Sequence, residues 1–122
     1  MTNRPLSSSE MSLARWMLEH GESHALEFLA QLAVAEVMPW RCPCGCGRID
    51  FQIKGHEPAP PGVRVLGDFL FGPDDEPAGI FIFESGGLLK GIEVYGMAGE
   101  VPKRLPREDE LRSFSGGDGG ST

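Results

Sequence analysis

At 122 residues and 40% hydrophobic content, the chain is long enough to bury a core without disulfide or metal staples and short enough for one domain. Its net charge of -7 argues against the concentrated basic surface that nucleic acid or an anionic membrane requires, so neither is expected as a partner. No apolar run has membrane-spanning length, because the longest, over 26–38, is interrupted by Glu27, Gln31 and Glu36.

The first residues, Met1-Thr2-Asn3-Arg4-Pro5, lack an apolar core after their single basic residue, so a secretory signal is not expected. Ser7 then reads as a helix N-cap, and Glu10 three residues on completes a capping box. Leu6 and Met11 close a hydrophobic staple across it. Met11, Ala14 and Leu18, with Leu13 and Met17 beside them, predict a helix over 7–20 that stops at Gly21. A second helix is predicted over 23–38. There Leu26, Leu29, Ala33 and Val37 make one apolar line that Phe28, Leu32 and Ala35 widen, and Pro39 ends it. His20 and His24 have the i, i+4 spacing of metal ligands and would share a face with Glu27 and Gln31 on an unbroken helix. Gly21 between them breaks that register, which favours an exposed polar stripe.

Beyond residue 47 the hydrophobic period changes to two. Ile49, Phe51 and Ile53 alternate with Asp50, Gln52 and Lys54, which predicts a half-buried strand. The proline-rich loop 55–62 leads to a second strand marked by Val63, Val65, Phe69 and Phe71. Gly67 on the same parity predicts a bulge or bend. This segment reads as an edge strand, protected from pairing by its own Gly67 and Asp68. The acidic stretch 73–77 reads as a solvated turn. Glu84-Ser85-Gly86-Gly87 between 80–83 and 88–95 is the strongest hairpin signal. Residues 80–83 are apolar on both parities, as expected of a central strand covered on both faces. The fold class is therefore α+β, with two N-terminal helices packed on an antiparallel sheet of three or four strands in two layers. Leu29, Phe51, Phe81 and Ile92 are expected in its core. Residues 107–114 are expected to form a short helical turn that docks Leu111 and Phe114. The domain is expected to span 1–114, followed by a disordered Gly/Ser tail over 115–122.

The chemistry-bearing stretch is Trp40-Arg41-Cys42-Pro43-Cys44-Gly45-Cys46-Gly47, which holds all three cysteines. Three thiols so close together do not form a secreted disulfide framework, so a reduced, cytoplasmic protein is expected. Pro43, Gly45 and Gly47 permit a bend that converges the thiolates of Cys42, Cys44 and Cys46. Zinc wants four ligands, and His56 is the natural fourth, with an N-terminal histidine as the alternative. Three thiolates alone suit copper(I). Two other readings stand beside metal binding. The cysteines serve as small apolar residues in a turn, or as redox thiols activated by Arg41 or Arg48. A preceding helix C-terminus would work against that activation.

Cys42-Pro43-Cys44-Gly45-Cys46-Gly47-Arg48 resembles the first half of the zinc-binding SEC-C motif, in which a serine usually stands at the position of Cys46. The cysteine or histidine pair that completes that motif would fall near Ile53 and Lys54, with His56 just beyond. The helical front half, the cysteine-glycine turn and the hairpin Glu84-Ser85-Gly86-Gly87-Leu88-Leu89-Lys90-Gly91-Ile92-Glu93-Val94-Tyr95 together resemble a family of small bacterial proteins classed as a domain of unknown function. The family has no settled activity, so the resemblance implies an α+β fold and little about function. Some proteins with a similar hairpin sit in toxin–immunity neighbourhoods, which makes an immunity-protein-like binding role one expectation.

Asp50, Asp68, Glu84 and Glu93 lie on or beside strands and could meet on one sheet face, but paired acids catalyse only when their environments drive their pKa values apart. No nucleophile elbow, phosphate loop or zinc-protease helix is present. The sequence thus points to a binding or interaction protein without catalytic activity, its partner another protein or a second copy of the chain. Trp16 and Trp40 are the candidate anchors or, equally, core residues. The alternative is a zinc, copper or thiol-redox protein built on the cysteines.

Overall fold

The computed structural model describes residues 2–39, 47–97 and 102–113. Strand β1 (Arg4–Pro5) precedes helix α1 (Ser8–Glu19). A 3-10 turn (Ala25–Phe28) runs into the single turn α2 (Leu29–Leu32), and the strands β2 (Ala35–Val37), β3 (Ile49–Ile53), β4 (Arg64–Phe71), β5 (Ala78–Ser85) and β6 (Leu88–Gly96) follow. A second 3-10 turn (Glu108–Glu110) leads to β7 (Arg112–Ser113). The strands form one sheet in the order β1-β2-β3-β6-β5-β4-β7, with antiparallel neighbours throughout. The fold is α+β.

The hairpin is built as its glycines require. Ser85 pairs with Leu88, and Gly86 and Gly87 carry the turn at φ +63° and +84°, which side chains rarely tolerate. Strand β5 lies between β4 and β6. Ile80 and Ile82 are fully buried against Leu13, Met17 and Leu18 of α1, with Leu66, Leu89 and Ile92 beside them. The register of β4 shifts between Val65 and Gly67, which is the expected bulge. A close approach explains it: a Cβ on Gly67 would lie 3.0 Å from the Met17 carbonyl, and one on Gly21 would lie 2.2 Å from the Leu66 carbonyl. The Glu22 N–H donates to that same Leu66 oxygen at 2.8 Å. The helix therefore ends where its backbone touches β4, and only glycines allow the contact.

The predicted second helix is the main correction. Helical structure ends at Leu32, and residues 35–37 form strand β2, paired Ala35 to Ile53 and Val37 to Phe51. A line through Leu26, Leu29, Ala33 and Val37 does not exist as a core stripe, for Leu26 is 54% exposed and Ala33 is exposed too. The buried positions are instead Ala25, Phe28 and Leu32 at helical spacing, then Ala35 and Val37 at strand spacing. Pairing with β3 satisfies a row of backbone groups and so overrides a weak helical preference.

Among the described residues the sheet accordingly has seven strands rather than three or four. The three unanticipated ones, β1, β2 and β7, are two or three residues long, too short to display a period. They also move the edges. Strand β4 pairs on both sides, with β5 and β7, so 63–71 is not an edge strand. The edges are β1 and β7, each offering only two residues of ladder. Of the expected core, Phe51 and Ile92 are buried, whereas Leu29 and Phe81 are half-buried. Of the helical turn expected over 107–114, only Glu108–Glu110 is helical, because Arg112–Ser113 pair with β4 as β7; Leu111 is buried, while Phe114 lies outside the described residues.

These burials set an order of mutational cost. Ile82→Ala should destabilise by about 2–5 kcal/mol through lost transfer energy and a cavity. Leu26→Ala should stay within about 0.5 kcal/mol, as surface changes do. Urea midpoints measure both, and comparable costs for the two would place α2 and its preceding turn differently on the sheet.

Candidate anion-binding site

The amino end of α1 is fixed by three residues acting together. Ser7 Oγ accepts from the Glu10 N–H at 3.1 Å, and Glu10 Oε1 accepts from the Ser7 N–H at 2.8 Å, which is the expected capping box. Arg4 on β1 extends it, donating Nη1 to Glu10 Oε1 at 2.8 Å and Nη2 to Oε2 at 2.9 Å. This forked hydrogen bond holds the Glu10 carboxyl below its usual range; burial opposes the shift and the Ser7 N–H reinforces it. The first-turn N–H groups beyond the capping box remain open to an acceptor, as at any helix start.

Opposite this end runs the segment 102–107. The Gly47 N–H donates to the Pro102 carbonyl at 3.0 Å, and a Cβ on Gly47 would meet the Arg104 backbone at 2.7 Å. Leu105 packs against the core and Pro106 is buried, which anchors the segment between its charged residues. Between the segment and the helix end lies a cavity of about 380 Å³. Arg4, Arg48, Lys103, Arg104 and Arg107 line it, five of the chain's 11 lysines and arginines, with Glu10 as the acidic member. In a chain of net charge -7 this is a strong local inversion of sign.

The cations are only partly neutralised. Arg48 Nε meets Asp50 at 3.1 Å and its Nη1 meets Glu93 at 3.3 Å. Arg107 pairs with Asp109 at 3.2 Å, Arg104 lies 3.9 Å from Glu110, and Lys103 has no ion pair among the described residues. The guanidinium groups of Arg104 and Arg107 are more than 70% exposed, so these pairs hold little energy and can yield to a ligand. The positive end of α1 adds to the attraction for an anion.

The described metal-ligand candidates, His20, His24 and His56, do not line this cavity. Cys42, Cys44 and Cys46, most of the SEC-C-like stretch, and Trp40 are outside the described residues. His56 is exposed on the turn after β3; its N–H donates to the Ile53 carbonyl at 3.0 Å and its carbonyl accepts from Gln52 Nε2 at 3.0 Å. Among the described residues no group of three or more His, Cys, Asp or Glu side chains is set to hold a metal. The helix ends before Gly21, so His20 and His24 do not form an i, i+4 pair. His20 stacks on Trp16 at 4.0 Å with Nδ1 2.8 Å from the Trp16 carbonyl, and His24 turns to Glu27 at 3.2 Å. Trp16 itself packs edge-on against Phe69 at 5.1 Å and is half-buried.

Three of the four strand carboxylates do share a face, the one α1 leaves uncovered. Asp50 and Glu93 are joined through Arg48, and Asp68 accepts from Tyr95 Oη at 3.1 Å. Burial raises the pKa of Asp68, and burial together with the Asp68 charge and hydrogen bond pushes Tyr95 up to about 12. Glu84 differs because the register shifts between Phe83 and Glu84. It is buried at 6% exposure, accepting from Arg64 Nη1 at 2.9 Å and the Gly87 N–H at 3.0 Å. The basic cavity went unnoticed in the sequence because its cations come from three separated segments. The run Lys103-Arg104-Leu105-Pro106-Arg107 was its one local signal.

No protein-family model matches the chain, and no curated protein or solved structure matches it either. No helix among the described residues is long and apolar enough to cross a membrane.

Two measurements check this geometry. Glu10 has a lowered folded pKa, so its contribution is present above its unfolded pKa and lost as pH falls through the folded value. Urea midpoints from about pH 6 to about pH 3 should therefore fall less steeply in Arg4→Leu than in the parent protein. Tyr95 is the chain's only tyrosine, so phenolate absorbance reports it alone. It should titrate near 12, and Asp68→Asn should lower that midpoint while burial keeps it above the ordinary value. The stability that Tyr95 lends in its neutral form should be lost as pH rises from about 10 through its folded pKa.

Proposed function

We propose that this protein is a small binding module rather than a catalyst, and that its ligand is a compact anion bearing phosphate or carboxylate groups held in the basic cavity. The observation that carries this reading is that five cations and a helix N-terminus line one cavity in an otherwise acidic chain. Arg4 is held by Glu10 and Arg48 by Asp50 and Glu93, which leaves the exposed Lys103, Arg104 and Arg107 to turn to a ligand. A volume of about 380 Å³ lies in the range of small-molecule sites and is far too small for a nucleic-acid duplex. Guanidinium groups recognise both anion classes through paired N–H donors, and Lys103 supplies a movable point charge. Among the described residues the cavity's hydroxyls, Ser7 and Ser9, have no uncommitted base beside them, since Glu10, the one carboxylate of the lining, is committed to Arg4 and the cap. The acidic remainder of the surface repels competing polyanions, which favours a small ligand over a polymer.

Calorimetric titration with inorganic phosphate, pyrophosphate and citrate at low ionic strength tests the reading and separates phosphate from carboxylate preference. Saturable binding that weakens by about tenfold in the Lys103→Ser, Arg104→Ser double variant, and that fades with added salt, is the expected result. Both substituted residues are exposed, so the fold should persist. Absence of binding by all three anions at millimolar concentration, or equal binding by the variant, would refute the proposal.

A further inference from the structure

The sheet face away from α1 is organised in cross-strand rows. One row runs Asp68, Phe81, Glu93 across β4, β5 and β6, and the row beside it runs Val65, Phe83, Gly91. Tyr95 pairs with Gly79, and its ring occupies the space a Cβ on Gly79 would fill. The aromatic rings form one continuous strip, Phe83 lying 5.4 Å from Phe81 and Phe81 lying 5.9 Å from Tyr95. Phe81 is half-buried, Val65 is 43% exposed, and the Glu93 side chain is 32% exposed.

Half of this strip already has an occupant. The Arg48 guanidinium lies 6.0 Å from the centre of the Phe83 ring while bridging Asp50 and Glu93. A cation over an aromatic face, between two carboxylates, is an energetically favoured arrangement. The neighbouring position repeats it: Phe81 sits between Asp68 and Glu93, directly opposite neighbours whose Cβ atoms lie within about 5 Å of its own. Among the described residues no cation lies over Phe81 and none forms an ion pair with Asp68. Asp68 is held by the Tyr95 hydroxyl and the Phe69 backbone, both uncharged donors, in a setting where burial penalises its charge.

We propose that the Phe81 position docks an arginine side chain of a partner protein, the guanidinium lying on the ring and reaching Asp68 and Glu93. Arginine fits better than lysine because the planar fork can address both carboxylates while it stacks, as Arg48 does one position along. Charge complementarity favours a basic partner, since this chain carries -7 and gathers five of its own cations in the cavity around Arg4 and 102–107. The two sites meet at Arg48, but Phe81, Asp68 and Tyr95 do not line the cavity and Lys103 and Arg104 do not reach the strip in any contact among the described residues, so each can fail without the other.

The test uses the full chain and two probes, N-acetyl-arginine amide and a capped hexa-arginine peptide. The ring signals of Phe81 and Tyr95 are followed by NMR. Saturable shifts of both rings are expected, with tighter binding of the peptide. Asp68→Asn should weaken binding by about threefold to fivefold, as loss of one exposed ion pair does. That variant keeps the shape of the side chain, and its thermal midpoint verifies folding. No saturable shift at either ring, or unchanged affinity in a folded Asp68→Asn protein, would overturn the proposal. Self-association of the parent chain that Asp68→Asn abolishes would also overturn it, because the occupant would then be the basic segment of a second copy.

Discussion

Strand β5 is apolar on both faces, and the fold must cover both of them with very little helix. Ile80 and Ile82 are served by α1, whose Leu13, Met17 and Leu18 bury against them; each such side chain contributes about 1.5–3 kcal/mol. No helix lies over Phe81 and Phe83 among the described residues. On that side Arg48 spreads over Phe83 and ties Asp50 to Glu93, while Tyr95 covers Gly79 and donates to Asp68. One face is sealed by packing and the other by a polar and aromatic network. The second arrangement leaves a surface that can exchange internal contacts for external ones.

The same economy shapes the helical side. Among the described residues α1 has twelve residues and α2 four, too few to cover the seven described strands, so α1 must be placed accurately. Two contacts place it: the Gly21 and Gly67 approach at its end, and the Arg4–Glu10–Ser7 cluster at its start. The second contact also arranges the cavity, because it sets β1 and the helix amino end beside Arg48 and the 102–107 segment. Glu10 thus caps the helix while restraining a cation of the cavity.

Features governed by local chemistry were legible in the sequence. The capping box needs only Ser7 and Glu10, the hairpin only Gly86 and Gly87, and the bulge announced itself through Gly67. What failed depended on contacts remote in sequence. Residues 35–37 belong to a strand because β3 is there to pair with them, a fact that their own spacing does not contain. Phe81 reads as core because its apolar character is visible in the sequence, while the absence of a covering helix among the described residues is not. Of the four carboxylates expected to meet on one face, Asp50, Asp68 and Glu93 do and Glu84 does not, and their engagement with Arg48 and Tyr95 cannot be read from alternation alone. The basic cavity drew on 4, 48 and 103–107, three segments that only the fold unites.

Segregation of charge is the centre of the functional account: an acidic chain concentrates its cations around one cavity and leaves an acidic, aromatic strip on the sheet. Mapping backbone amide shifts by NMR during titration with inorganic phosphate tests it most directly. The account predicts that Ser8, Ser9, Gly47, Lys103, Arg104 and Arg107 shift together along one saturation curve, while Arg15, Lys54 and Arg112, basic residues outside the cavity, stay still. Shifts spread evenly over all the basic residues, without saturation, would contradict it.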